Sequence, residues 1–323
     1  MSFGQATKDA MASSMRADPT VLVIGEDIRW GGSFGQFRGL YEEFGDRVID
    51  APISESLIVS MSVGAALTGM RPVASMSFVE FAMGAMDEIV NQAAKIHYMF
   101  GGQASIPMVL RCADGTISSA AAQHSESLEA LFCHVPGLKV VAPSNAKDAK
   151  GLLIASIKDP NPVIFLENKR IQTGRMEVPE DHYVIPLGKA AVVRQGHDIS
   201  VIAYSVMVSA ALNVAERLDT ERGISVEVID LRTLVPLDME TVRASVAKTK
   251  RGVVAHEAWR FAGLGAEISS QLSESLFAVL EAPIARVGAK SSHIPFSPPL
   301  EAAVVPTHDD LYEAVSATVV FGR

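Results

Sequence analysis

The sequence predicts an α/β fold: two three-layer α/β/α domains, each with a mainly parallel sheet between helices. Two observations carry this. Short apolar runs in the style of buried parallel strands alternate with helix-period segments along the chain. The length, 323 residues, exceeds what one ordinary core accommodates. Polar residues 167–187, with Pro179 and Pro186, read as a linker, which places the domains at 1–185 and 186–323.

Each element follows from local pattern. Residues 4–17 read as a helix with Ala6, Met11 and Met15 apolar. Val21-Leu-Val-Ile24 reads as a buried strand running into Gly25-Glu-Asp27. The Gly-rich segment Gly31–Gly39 lacks the order and spacing of a dinucleotide fingerprint and reads as a flexible loop. Leu40–Phe44 is a short helix and Val48-Ile49 a short strand. Next comes a helix opening at Glu55, with Ser54 at its N-cap and Gly69 beyond its end. It carries no charge after Glu55 and reads as buried all round. Strands are expected at Pro72–Phe78, Ile106–Arg111, Leu138–Ala142 and Pro162–Leu166. A long helix is expected from Phe81 to about Met99, a helix opening at Leu128, and another from about 146 to 157 capped by Pro143-Ser144. In the second half, strands fall at 198–203, 225–229 and 252–255 and helices at about 207–219, 238–248 and 263–279.

Composition excludes several function classes. Hydrophobic residues are 48% and charged residues 20%, so the chain is globular rather than disordered. The net charge of −9, the absence of a basic run, and only five Tyr and two Trp argue against nucleic acid. No apolar run reaches the ~18 residues of a membrane span, and the first residues hold no apolar signal core. Cys112 and Cys133 form no metal-ligand pattern and suit a reducing compartment, so the cytoplasm is expected. A mean hydropathy of +0.23 suggests that a partner covers part of the surface.

Candidate chemistry begins at Glu55. A carboxylate in the first turn of an apolar helix lies at a positive dipole end and can make one strong charge-assisted hydrogen bond, for instance to a ring nitrogen. Glu26 and Asp27 follow a strand at its carboxyl end, where ligands bind in α/β sheets. The long small-residue loop from Ala113 delivers His124 beside Ser125 and Glu126, and long irregular loops within domains tend to be functional.

Several ordered segments together resemble a known family. They are Val23-Ile-Gly-Glu-Asp27, Pro52-Ile-Ser-Glu55, Val63-Gly-Ala-Ala66, Ala93-Ala-Lys95, Ala122-Gln-His-Ser125 and Pro136-Gly-Leu-Lys-Val-Val141. Asn161-Pro162, Leu166-Glu-Asn168, His256-Glu257, Gly265-Ala-Glu267 and Pro295–Glu301 continue the series. Along almost its whole length the chain resembles the beta subunit of thiamine-diphosphate-dependent 2-oxo acid dehydrogenases, a family that includes pyruvate, branched-chain 2-oxo acid and acetoin dehydrogenases. The resemblance implies a transketolase-like pyrimidine domain followed by a transketolase C-terminal-like domain.

It also implies roles. Glu55 would bond the far nitrogen of the cofactor's aminopyrimidine and promote its imino tautomer, a job suited to a dry pocket with a shifted pKa. Phe81 would pack against the pyrimidine, with Glu26 or Asp27 near the cofactor or a subunit contact. His124 would serve the substrate and the incoming lipoyl group. Met108, Ser156, Ile157, Asp159 and Asn161 match positions that hold potassium in some members. Phe78, Glu80 and Gly84 flank the cofactor region.

No Gly-Asp-Gly segment with a downstream Asn is present to fix a magnesium diphosphate; Ala113-Asp114-Gly115 comes nearest. An alpha subunit is therefore expected to hold Mg²⁺ and the diphosphate half in an α2β2 heterotetramer, with acyl groups passing to a lipoyl acyltransferase core. A split transketolase-like half and a non-catalytic assembly subunit are the alternatives. Ala-Gln-His-Ser and the C-terminal segments argue against the first, and intact Glu55 and His124 against the second.

Overall fold

The computed structural model describes residues 1–322, which divide into two compact units. The first comprises Met1–Asp114 and Leu131–Leu187, the second Gly115–Ala130 and Gly188–Arg323. The loop that carries His124 thus groups with the second unit, while the segments before and after it group with the first.

The first unit holds strands β1 (Val21–Gly25), β2 (Val48–Asp50), β3 (Arg71–Met76), β4 (Val109–Asp114), β5 (Lys139–Val141) and β6 (Val163–Asn168). They run parallel in the order β5-β6-β4-β3-β1-β2. Helices α1 (Phe3–Ala17), α2 (Leu40–Phe44), α3 (Glu55–Leu67), α4 (Ile96–Met99), α5 (Glu129–Cys133) and α6 (Ala146–Lys158) accompany them, the first two residues of α5 grouping with the second unit. Met11 and Met15 of α1 meet Leu152, Leu153, Ile154 and Ile157 of α6 over strand residues Val21, Val23, Val73, Val109, Val163 and Phe165. Each such buried side chain contributes about 1.5–3 kcal/mol of transfer free energy. A capping box, Ser2 with Gln5, starts α1. Asn145 rather than Pro143-Ser144 caps α6, accepting from the amide of Asp148.

Three expectations need correcting. Helix α3 is not buried all round. Ile58, Val59, Ser62, Val63 and Ala66 face inward, while Leu57, Ser60, Gly64 and Leu67 form an exposed stripe at helical spacing. The helix expected from Phe81 to Met99 is broken into a 3₁₀ stretch (Val79–Ala85), a π stretch (Glu88–Ala93) and α4. The Ser56 hydroxyl donates to the Gly84 carbonyl at 2.7 Å, drawing that carbonyl toward the start of α3. The Gly31–Gly39 segment is an anchored loop, with Phe37 fully buried and the Gly32 amide bonded to the Asp27 carbonyl.

The 167–187 stretch also packs tightly. Val178 is buried, and Tyr183, Ile185 and Leu187 lie against the first unit's core. The fully buried Lys150 ammonium donates to the carbonyls of Pro179 (2.6 Å) and Glu180 (3.0 Å) and pairs with Asp9. A Cβ at Gly151 would lie 2.7 Å from Ile185 and Tyr183, so only glycine lets this segment settle on α6.

The second unit contains β7 (Ala191–Arg194), β8 (Ile199–Ala203), β9 (Val226–Asp230), β10 (Thr233–Val235), β11 (Gly252–Trp259) and β12 (Ala285–Ala289). Its helices are α7 (Val206–Arg222), α8 (Met239–Thr249), α9 (Leu264–Leu276), α10 (Pro298–Val304) and α11 (His308–Val319). Five strands form a sheet in the order β12-β11-β8-β9-β7, parallel except for β7, which runs antiparallel to β9. Among the described residues, no helix is long and apolar enough to cross a membrane.

Candidate active site

In the first unit the candidate residues lie just beyond the carboxyl ends of adjacent strands. Glu26 follows β1, Glu55 follows β2 after a four-residue turn, and Phe78 and Phe81 follow β3. This is where a parallel α/β sheet leaves its ligand crevice. The backbone is closely packed at Gly25, where a Cβ would lie 3.0 Å from Ile28 and 3.2 Å from Ser75.

Glu55 occupies the first turn of α3, as its place after Ser54 predicts, though the Ser54 side chain makes no capping bond. The carboxylate is half-buried and sits at the helix's positive end. Gly84 lies beside it without a side chain. A Cβ built on Gly84 would have Glu55 as its nearest neighbour, at 3.6 Å from its Cβ and Oε2. Glu26, also half-buried, feels Glu55. Burial foremost, then the charges of Asp27 and Glu55, push its carboxyl above the ordinary carboxylate range. Asp27 adopts the left-handed conformation (φ 53°) that turns the chain out of β1.

Phe81 belongs to an aromatic group. Its ring meets Phe78 edge-on at 5.5 Å, and Phe78 meets Phe34 at 5.6 Å. The Lys169 ammonium lies 4.9 Å from the Phe78 ring centre. Phe34 and Lys169 escaped sequence reasoning, because neither belongs to a pattern and both come from distant loops.

His124 lies in the second unit at the end of a 3₁₀ turn (Ala122–His124) and is half-buried. Its loop is tightly tied within that unit. The Gly115 amide bonds the Glu126 carbonyl at 2.8 Å, closing the loop's base. The Thr116 hydroxyl donates to Glu257 Oε1 at 2.6 Å, and the Ser119 amide to Glu301 Oε2 at 3.1 Å. The Tyr204 hydroxyl donates to buried Glu129 at 2.5 Å, and burial holds that carboxyl above the usual range. Tyr204 stacks on His256, whose ring is wrapped by Gly263, Gly265 and Gly288; a Cβ on any of the three would fall within 2.9 Å of it. Burial pushes the His256 imidazole down to about 4, so it is neutral. The loop is also strained. Ser119 (φ 60°) and Ala121 (φ 59°, ψ −167°) have positive φ, and the second lies in a region populated almost only by glycine. Each costs about 1–3 kcal/mol.

The five positions matching a potassium site make the following contacts within the first unit. The Arg71 guanidinium donates to the carbonyls of Ile157 (2.9 Å) and Asp159 (3.3 Å). The Asp159 carboxylate pairs with Lys139 and accepts both the backbone and side-chain N–H of Asn161 at 2.9 Å. The Ser156 carbonyl accepts from the Asp159 amide and the Met108 carbonyl from the Val163 amide. Two cationic side chains, Arg71 and Lys139, thus lie at this group of positions.

Comparison with known proteins agrees with this layout. Residues 1–173 match the transketolase pyrimidine-binding domain and residues 188–311 the transketolase C-terminal domain. The chain is 44% identical over 334 residues to the acetoin:2,6-dichlorophenolindophenol oxidoreductase subunit beta of Cupriavidus necator, covering 100% of this chain and 98% of that protein. It is 45% identical over 313 residues to the pyruvate dehydrogenase E1 component subunit beta of Rickettsia felis, covering 96% of each. In fold it matches a split-gene transketolase in an inactive beta4 tetramer, with a TM-score of 0.79 at 23% identity over 100% of this chain and 99% of that one. On these matches, the chain belongs to the beta-subunit family of pyruvate dehydrogenase E1 components and acetoin oxidoreductases.

Proposed function

We propose that this chain works with an alpha-type subunit to cleave a 2-oxo acid or acetoin next to its carbonyl group, using thiamine diphosphate, and to pass the acyl unit to a lipoyl group. The observation that carries the reading is Glu55, a first-turn carboxylate with the side-chain-free Gly84 against it, in a domain of the pyrimidine-binding family. The residues fit the pyrimidine half of the cofactor: an acceptor at a helix start, the side-chain-free Gly84 beside it, and the Phe78–Phe81 aromatic pair shortly before Gly84 in the chain.

Thiamine diphosphate, when bound, would supply the nucleophilic carbon for this cleavage. Glu55 orients the pyrimidine and holds a proton at its ring nitrogen. Phe81 excludes water from that ring. Glu26, which retains a proton more readily than an ordinary carboxyl, limits the negative charge close to Glu55. His124 moves a proton during transfer to the lipoyl sulfur, work suited to an imidazole near neutral pH.

The sequence holds no diphosphate-anchoring segment, so Mg²⁺ and the diphosphate half fall to the alpha-type partner in an α2β2 assembly. The outward stripe Leu57, Ser60, Gly64 and Leu67 on α3 and the exposed Tyr98, Met99 and Phe100 give an apolar surface of the kind such a partner covers. Co-expression with that partner and a substrate panel tests the reading. Dye reduction with pyruvate, a branched 2-oxo acid or acetoin, plus acylation of a lipoyl domain, supports it. Activity only with ketose phosphates would replace it with ketol transfer.

A further inference from the structure

The His124 loop departs from what its sequence alone would favour. Small, flexible residues could relax, yet Ser119 and Ala121 are held at positive φ, Ala121 where a Cβ is normally excluded. Such a conformation persists only when surrounding contacts over-determine it. Two carboxylates of the second unit make contacts of this kind. Glu257, at 7% exposure, takes the Thr116 hydroxyl at 2.6 Å and the Thr116 amide at 3.4 Å. Glu301, in the first turn of α10, takes the Ser119 amide at 3.1 Å. Between Ser119 and His124 lie Ala120, whose amide bonds the Ile117 carbonyl, the strained Ala121, whose carbonyl accepts from the His124 amide, and Ala122 and Gln123 of the 3₁₀ turn.

We propose that Glu257 and Glu301 are positioning residues that hold the strained 116–121 turn against the second unit and thereby set the direction of the His124 imidazole. Neither need touch substrate. Glu257 fixes the entry of the loop and Glu301 its apex, and the backbone strain at Ala121 is what their hydrogen bonds hold in place. The Tyr204–Glu129 bond fixes the exit, so the segment bearing His124 is pinned at both ends. This inference rests on the assignment of His124 to acyl transfer.

Glu301 is the better probe, because it is half-buried on a short surface helix and its removal leaves the core intact. Glu301→Ala, Glu301→Gln, His124→Ala and the double variant His124→Ala/Glu301→Ala are each assembled with the alpha-type partner. Acylation of a lipoyl domain is then measured with pyruvate and with acetoin. Glu301→Ala lowers kcat between about 10- and 100-fold, with KM for the lipoyl domain near its original value, as expected for a misdirected group. Glu301→Gln, whose amide oxygen still accepts from the Ser119 N–H, recovers most of the rate. In the His124→Ala background, Glu301→Ala removes nothing further. Full activity of Glu301→Ala, or a loss that adds in full to that of His124→Ala, overturns the proposal while leaving His124 in its role. Unchanged acylation by His124→Ala overturns both.

Discussion

Gly84 stands beside Glu55 with no side chain of its own, and a Cβ there would lie 3.6 Å from the Glu55 carboxylate oxygen. The Gly84 position thus puts no side chain against the carboxylate. The Gly84 backbone meanwhile anchors the start of α3 through Ser56.

Gly84→Leu is therefore expected to fold, since its φ is not positive and only Glu55 lies near. Its side chain would occupy the space in front of the carboxylate. Titration of the assembled protein with thiamine diphosphate should show affinity weakened by about 10-fold or more, equivalent to about 1.4 kcal/mol. The thermal midpoint should change little. Unaltered affinity would mean that the cofactor does not use this face.

His124→Ala is expected to separate two half-reactions. Thiamine diphosphate binding and dye reduction should survive largely intact, while lipoyl-domain acylation falls by about 10²–10⁴-fold, the usual contribution of a positioned acid–base group. Equal losses in both assays would identify a structural histidine.

His256 gives the second unit a signature in acid. Its folded pKa of about 4 lies below the ordinary 6.5, so between these values the unfolded chain binds a proton that the folded chain does not. Stability is full above about pH 6.5 and declines as pH falls toward 4, by about 3 kcal/mol for a shift of this size. Denaturant midpoints measured across that window should fall in the parent and fall less in His256→Gln. Parallel slopes would show that this imidazole does not carry the effect.

Arg111 and Glu167 form a buried pair at 2.6 Å between neighbouring strands β4 and β6. Arg111→Leu strands the carboxylate and should cost about 3–5 kcal/mol in denaturant unfolding. The double variant Arg111→Leu/Glu167→Leu should regain most of that loss. A double variant no better than the single one would show that packing, rather than the stranded charge, dominates.

The framework was legible where local chemistry decides it. Glu55 could be read because a proline turn, a cap position and a charge-free run converge on it. The β-strands of the first half could be read because Val and Ile runs alternate with helical segments. The strands β7 and β12 and the helices α10 and α11 went unread: Ala191–Arg194 is a half-exposed edge, and Ala285–Ala289 contains an arginine and a glycine. The break in the 81–99 helix lies beside Gly84, whose carbonyl accepts from a hydroxyl 28 residues earlier, a contact no periodicity reports. The ties of the His124 loop reach Glu257 and Glu301 across 141 and 182 residues, so only the folded chain reveals them.

The most direct test of the account replaces Glu55 with glutamine, which keeps the shape and removes the acid. In the assembled protein, hydrogen–deuterium exchange at the reactive carbon of bound thiamine diphosphate can be followed by NMR after acid quench. The account predicts exchange slowed by about 10²-fold or more with the cofactor still bound. Exchange at the parent rate in Glu55→Gln would contradict it.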